Sequence, residues 1–151
     1  FGYDRTGLIL NAGINAKMNE FEAAMGLCVL DDIVSIKANR KNLSDFYSRE
    51  LDNLLTFQLW NKNSTKNYAY YPVVFNDEKQ LLKTQKILNE NNIFPRRYFY
   101  PSLELLPFIK QNQKCANSQN ISKRILCLPL YNELSLIDAK RITDIIKKCI
   151  L

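Results

Sequence analysis

NYAYYPVVFNDEKQLLKTQKILNENNIFPRRYF, residues 67–99, sets two β-forming runs on either side of one helical run. The first, YAYYPVVF (68–75), is dense in aromatic and β-branched residues, which suit a pleated, half-buried surface. Pro72 has no N–H to give to a ladder, which assigns this strand to a sheet edge or a bulge. Asp77 is placed to cap the helix that follows. Leu81, Leu82, Ile87 and Leu88 are its expected inward side chains. Asn91-Asn92 is a stop, because Asn tolerates the left-handed backbone conformation. IFPRRYF (93–99) then predicts a second strand.

Upstream, TFQLW (56–60) predicts a short strand and NSTKN (63–67) a turn or loop. Asn19 and Glu22 have the spacing of a capping box and open a helix. That helix carries Phe21, Ala24, Met25, Leu27, Cys28, Val29 and Leu30, while Ala23 and Gly26 keep part of it thin enough for close packing. A helical pattern continues from Ile33 to Leu55, as a second helix or as one long helix with a bend. Three of the four glycines fall in residues 1–18, beside Asn11 and Asn15, and mark an irregular leader.

Downstream, SLELLPFIK (102–110) reads as a short helix interrupted by Pro107. Residues 111–120 are polar and loop-like, with a helical turn near 116–124, and ILCLPL (125–130) is a strand. Ser135 opens the last helix with Asp138 in the capping-box position. Ile142, Ile145, Ile146, Cys149 and Ile150 form its apolar stripe. The expected class is α+β: a small mixed or antiparallel sheet with helices packed on it, preceded by a long connecting helix. The expected segments are a leader (1–18), a connecting helix or helices (19–55) and a small α+β domain (56–151).

Composition excludes several chemistries. There is no histidine, so His-based triads, His general bases and His-containing metal sites are absent from these residues. Cys28, Cys115, Cys127 and Cys149 fit no CxxC or zinc spacing and lie among apolar neighbours, where thiols pack as small hydrophobes. They point to structural thiols in a reducing, cytoplasmic setting. Lys and Arg number 21 against 15 Asp and Glu. The basic pairs are dispersed, which suits a solvated surface better than a nucleic-acid stripe. No apolar run approaches the ~20 residues needed to span a bilayer.

Two segments carry candidate chemistry. In GINAKMNEFEAAMG (13–26), Asn15 and Lys17 precede a helix N-terminus, whose partial positive charge suits a phosphate. The same residues also fit a capped helix behind an ordinary loop. In PRRYFYPSL (95–103), Arg96 and Arg97 sit with three aromatics between Pro95 and Pro101. Neighbouring strand residues point to opposite faces, so one Arg can meet a ligand while the other meets solvent or a carboxylate. Arginine forks and tyrosine rings suit a nucleoside diphosphate. Surface arginines beside core aromatics are the plainer alternative.

GINAKMNEFEAAMGL (13–27) resembles the Gly-x-Asn-x-(Arg/Lys)-Met-(Ser/Asn)-Glu segment of the DegT/DnrJ/EryC1/StrS sugar aminotransferases. LPLYNELS (128–135) resembles that family's Leu-Pro-Leu/Met-Tyr/His-x-x-Leu-Ser/Thr ending. The matching segments run in family order along nearly the whole chain. The resemblance implies the aspartate aminotransferase fold, with this chain as the C-terminal small domain of a fold-type I transferase plus its connecting helix. It implies pyridoxal 5'-phosphate as cofactor, glutamate and a nucleotide sugar as substrates, and a homodimer with shared active sites. It makes Asn15 a contact to the cofactor phosphate of the neighbouring subunit, with Lys17 a basic position nearby.

Tyr100 matches the Tyr of the family's His-Tyr-Pro-Pro-Leu segment, which faces the sugar nucleotide. Phe99 stands where the family often has His, and Ser102 where it has Pro, so no His role carries over. NIFPRRYFYPSL (92–103) and NYAYYPVVF (67–75) resemble instead the subgroup that makes dTDP-4-amino-4,6-dideoxyglucose. Arg96 and Arg97 become candidate substrate or structural residues. The family's cofactor lysine matches no lysine here and belongs upstream of Phe1. The expectation is therefore that this fragment holds no catalytic residue and is inactive alone. A non-enzymatic α+β interaction domain and a nucleic-acid-binding module are the rival readings.

Overall fold

A computed structural model describes residues 18–98, 100–106 and 114–151. The chain forms two compact units, residues 1–35 and 36–151.

In the first unit, helix α1 spans Glu20–Asp31. The capping box forms as its spacing demands. Asn19 Oδ1 accepts from the Glu22 N–H at 2.9 Å, and Glu22 Oε2 accepts from the Asn19 N–H at 2.9 Å. Apolar residues occur all around this helix, and none is buried; Phe21 is 86% exposed. The chain breaks helical pairing at Asp32 and resumes in α2, Ile33–Glu50, so the long helical stretch is two helices.

The second unit is a three-stranded sheet in the order β1 (Thr56–Phe57), β2 (Tyr71–Val74), β3 (Ile125–Leu128), antiparallel throughout. The body of α2 packs on it, with α3 (Glu78–Glu90), α4 (Ala116–Arg124) and α5 (Leu136–Ile150); a 3-10 turn covers Leu103–Leu105. Alternation along the strands sends Tyr71, Val73, Leu126 and Leu128 to one face. There they meet Leu43 and Tyr47 of α2, Leu81 and Leu88 of α3, and Ile142 and Ile146 of α5. The two core phenols are satisfied: Tyr47 Oη donates to the Pro129 carbonyl at 3.0 Å, and Tyr71 Oη lies 2.8 Å from Ser48 Oγ. Burial pushes the Tyr71 phenol up to about 12 and the Tyr47 phenol further.

Helix ends follow local chemistry. Asp77 Oδ1 accepts from the Gln80 N–H at 2.7 Å to start α3, and Asn92 takes φ 60° just past its end. Ser135 accepts from the Asp138 N–H at 3.0 Å to start α5.

Four expectations are corrected. Pro72 lies in the central strand, not at an edge or bulge. Cys127, its cross-strand partner, spends both backbone groups on Arg96, so Pro72 and Cys127 form a non-hydrogen-bonded pair. The missing N–H of Pro72 therefore points toward the β1 side, where β1 has already ended at Phe57. Of the expected strand 93–99, the described residues 93–98 make a single bridge, Arg96 to Cys127, rather than a strand. Leu82 is 47% exposed, because the face of α3 set by Leu81, Thr84 and Leu88 turns it outward. Cys149 is buried and Cys115 and Cys127 are half-buried, but Cys28 is exposed on α1. No described helix is long and apolar enough to cross a membrane.

Candidate functional site

The expected alternation at residues 96 and 97 is visible in where the two guanidinium groups go. Arg96 pairs through its backbone with Cys127, and its side chain lines a cavity of about 540 Å³ at one end of the sheet. Tyr70, Tyr98 and Tyr131 line the same cavity, with Phe94, Asp138 and Arg141. Arg96 Nη1 donates to Tyr98 Oη at 3.1 Å. The rings of Tyr70 and Tyr98 meet edge to face at 5.0 Å, a favoured aromatic geometry. Arg141 lies on the wall, but its Nη2 is spent on the Asn91 carbonyl at 2.9 Å, at the C-terminal end of α3.

A second cavity, of about 650 Å³, opens on the sheet face opposite the core. Pro72, Val74, Ile125 and Cys127 floor it. It shares Tyr70, Tyr98 and Cys127 with the first, so the tyrosine pair stands between the two. Burial pushes the Cys127 thiol up to about 11, which leaves it protonated and a poor nucleophile at neutral pH.

Arg97 turns the other way. Its Nη2 donates to Glu78 Oε1 at 2.5 Å and to the Lys123 carbonyl at 3.0 Å. Its guanidinium carbon lies 3.5 Å from the centroid of the Tyr100 ring, in cation–π contact. Arg97 thus ties the first turn of α3 to the last turn of α4, with Tyr100 resting on it. Sequence reading did not single out Glu78, which lies 19 residues from its partner. The available signal was strand parity: with Arg96 turned to the cavity, Arg97 needs an acid on the other side.

The Glu78 carboxyl is held below its ordinary value of 4.5, first by the Arg97 hydrogen bond, with Tyr100, the Arg97 charge and Lys123 adding to it against desolvation. A carboxylate with a lowered folded-state pKa adds stability that is complete above its unfolded value and fades as pH falls through the folded one. The thermal midpoint should therefore drop on acidification below about pH 4.5, and the drop should be shallower in Glu78→Gln. Melts followed by circular dichroism between pH 3 and 6 check this. Glu50, Glu104 and Asp144 are also lowered and share in the drop, so identical slopes in the two proteins would be the contrary result.

Asn15 and Lys17 lie outside the described residues, so the site here is the one around Arg96, Arg97 and Tyr100. No lysine lines either cavity among the described residues. Lys41, Lys86, Lys140 and Lys147 are in ion pairs. Neither cavity lining therefore offers a lysine to hold pyridoxal phosphate covalently.

Comparison with known proteins places this geometry. Residues 3–147 match the model of the DegT/DnrJ/EryC1/StrS aminotransferase family. A dTDP-4-amino-4,6-dideoxy-D-glucose transaminase of Escherichia coli is 34% identical over 134 residues, covering 82% of this chain and 36% of the relative. The enzyme of that name from Shigella dysenteriae is 32% identical over 143 residues, covering 89% and 39%. The chain thus spans under two-fifths of the length of these relatives. Among solved structures, DesI in the presence of its TDP-sugar product superposes with TM-score 0.76 at 27% identity, covering 99% of this chain and 40% of DesI. The aminotransferase TlmJ from Streptoalloteichus hindustanus shares the fold, with TM-score 0.79 at 18% identity over 87% of this chain and 36% of TlmJ. With a family match over almost its entire length and relatives above 30% identity, the chain belongs to the DegT/DnrJ/EryC1/StrS aminotransferase family.

Proposed function

We propose that the chain is the C-terminal part of a pyridoxal phosphate-dependent sugar-nucleotide aminotransferase. The proposed reaction moves an amino group from glutamate to a 4-keto-6-deoxy sugar on dTDP, in the cytoplasm, in a homodimer with shared active sites. The observation that carries this reading is the segment 96–100. It sets an arginine and tyrosines along one cavity, while the half-exposed Tyr100 rests on Arg97 and lines neither cavity. Such a set suits a nucleotide sugar: a guanidinium for phosphate, rings for base or sugar faces, hydroxyls for hydrogen bonds. The names of the Escherichia coli and Shigella dysenteriae relatives support the dTDP-linked amino sugar.

In this reading Arg96 and Tyr100 contact the substrate and Arg97 acts through Tyr100. Asn15 and Lys17 reach the cofactor phosphate of the neighbouring subunit. The leader (1–18) and connecting helices (19–55) belong with the rest of the enzyme, and residues 56–151 form the small domain. The bare apolar surface of α1 supports a covering surface in the complete dimer. The arginines speak against a nucleic-acid stripe: Arg97, Arg124 and Arg141 all donate to groups within the fold.

Pyridoxal phosphate supplies a carrier for the amine between donor and acceptor when it is bound. The cofactor lysine lies elsewhere in the proposed enzyme. The 151-residue chain mixed with the cofactor should therefore show only the spectrum of free pyridoxal phosphate and no transfer. A stoichiometric absorbance band of a protein-bound aldimine would contradict the proposal.

A further inference from the structure

We propose that Glu78 is a positioning residue for the Tyr100 ring, acting through Arg97 and through its own contact with the Tyr100 hydroxyl. The inference rests on the reading of Tyr100 as a substrate-facing residue and adds to it what holds that ring in place.

Tyr100 is 46% exposed and stands beyond the last backbone pairing of its segment, at Arg96. No ladder holds it. Two groups meet it instead: Arg97, whose guanidinium carbon lies 3.5 Å from the ring centroid, and the Glu78 carboxylate, which also interacts with the Tyr100 hydroxyl. A guanidinium on a flexible stem orients a ring only if it is itself held. Glu78 holds it at 2.5 Å, and the Lys123 carbonyl takes a second bond from the same nitrogen. The Arg97 side chain is 14% exposed, and its Nε has no hydrogen-bond partner among the described residues. An arginine serving only as a strut would be expected to use that donor. Here the guanidinium carbon sits over the ring, and the carboxylate holds it there. Glu78 itself sits on the first residue of α3, a rigid element started by the Asp77 cap. Support thus runs from helix to carboxylate, and from the carboxylate to the ring both through the guanidinium and directly. Glutamate and arginine are both needed: lysine could pair with Glu78 but has no plane to lay on the ring.

Two measurements test this. In the chain labelled with 15N-arginine, the Arg97 side-chain protons should lie upfield from the Tyr100 ring current. Glu78→Gln, which keeps the side-chain shape, should return them toward unstacked values. In the complete enzyme proposed above, Glu78→Gln and Arg97→Lys should each raise KM for the nucleotide sugar about fivefold, the worth of one exposed cation–π contact. The KM for glutamate and kcat should stay within about twofold, a split that general loss of structure would not give. Unchanged Arg97 shifts and unchanged nucleotide-sugar KM in Glu78→Gln would overturn the inference. If instead Tyr100→Ala leaves that KM unchanged, the substrate reading of Tyr100 fails. The Arg97 shifts then still decide whether Glu78 holds the ring.

Discussion

Leu126→Ala should cost about 3 kcal/mol of folding stability, within the ~2–5 kcal/mol seen when a fully buried leucine is truncated. Leu126 is 0% exposed at the middle of β3, and it faces Val73 of the central strand across the ladder. Around it stand residues of α2, α3 and α5, and none can move in without leaving another contact. A single domain is stable by only about 5–15 kcal/mol, so this one change removes a large part of the margin. Urea unfolding should show a lower midpoint with an unchanged slope, the sign of lost stability without a changed unfolded state. Leu82→Ala is the matched control. Its 47% exposure predicts a change of no more than about 0.5 kcal/mol. Equal losses at the two positions would contradict the packing described here.

Tyr100→Ala should raise KM for the nucleotide sugar about tenfold in the complete enzyme, on the scale of one aromatic contact plus one hydrogen bond. The prediction follows from placement. Tyr100 is half-exposed, with Arg97 over its ring and its hydroxyl interacting with Glu78. It adds little to the core, so the melting midpoint of Tyr100→Ala should stay close to that of the unaltered protein. Tyr100→Phe separates the two contributions: it keeps the ring on Arg97 and removes the hydroxyl. A KM for Phe between those of Tyr and Ala is expected. Steady-state kinetics with the sugar varied at saturating glutamate measure it. A large loss of thermal stability with no change in KM would make Tyr100 a structural residue.

The helix starts were legible because capping is local. Asn19 with Glu22, Asp77 with Gln80, and Ser135 with Asp138 are each settled within three residues. The stop at Asn91-Asn92 was legible for the same reason. Pro72 was misread because the cost of a missing N–H depends on hydrogen-bond parity. That parity is set by Cys127 pairing with Arg96, contacts made far along the chain. The run 93–99 has strand composition, yet among its described residues only Arg96 pairs with the sheet, while the Ile93 N–H goes back to the Leu88 carbonyl at the end of α3. Leu82 was misplaced by taking two adjacent leucines as one face of a helix, when 100° separates them.

The site was legible in part. The doublet Arg96-Arg97 was read as two arginines with different duties, and the cavity and the carboxylate are found on opposite sides of it. Which arginine took which side was not legible, nor was Glu78 as the acid. Both depend on how α3 lies against the end of segment 96–100, a fact of packing rather than of spacing. Tyr98 was counted only as one aromatic among three. Its position between the two cavities comes from the fold.

The proposed enzyme aminates a dTDP-linked keto sugar. The most direct measurement incubates the full-length protein with pyridoxal phosphate, 15N-labelled glutamate and dTDP-4-keto-6-deoxyglucose, and weighs the sugar product. The account predicts a dTDP-amino sugar carrying one 15N, formed in equal amount with 2-oxoglutarate. A protein that takes up the cofactor, releases 2-oxoglutarate from glutamate and yet leaves the keto sugar untouched would contradict it.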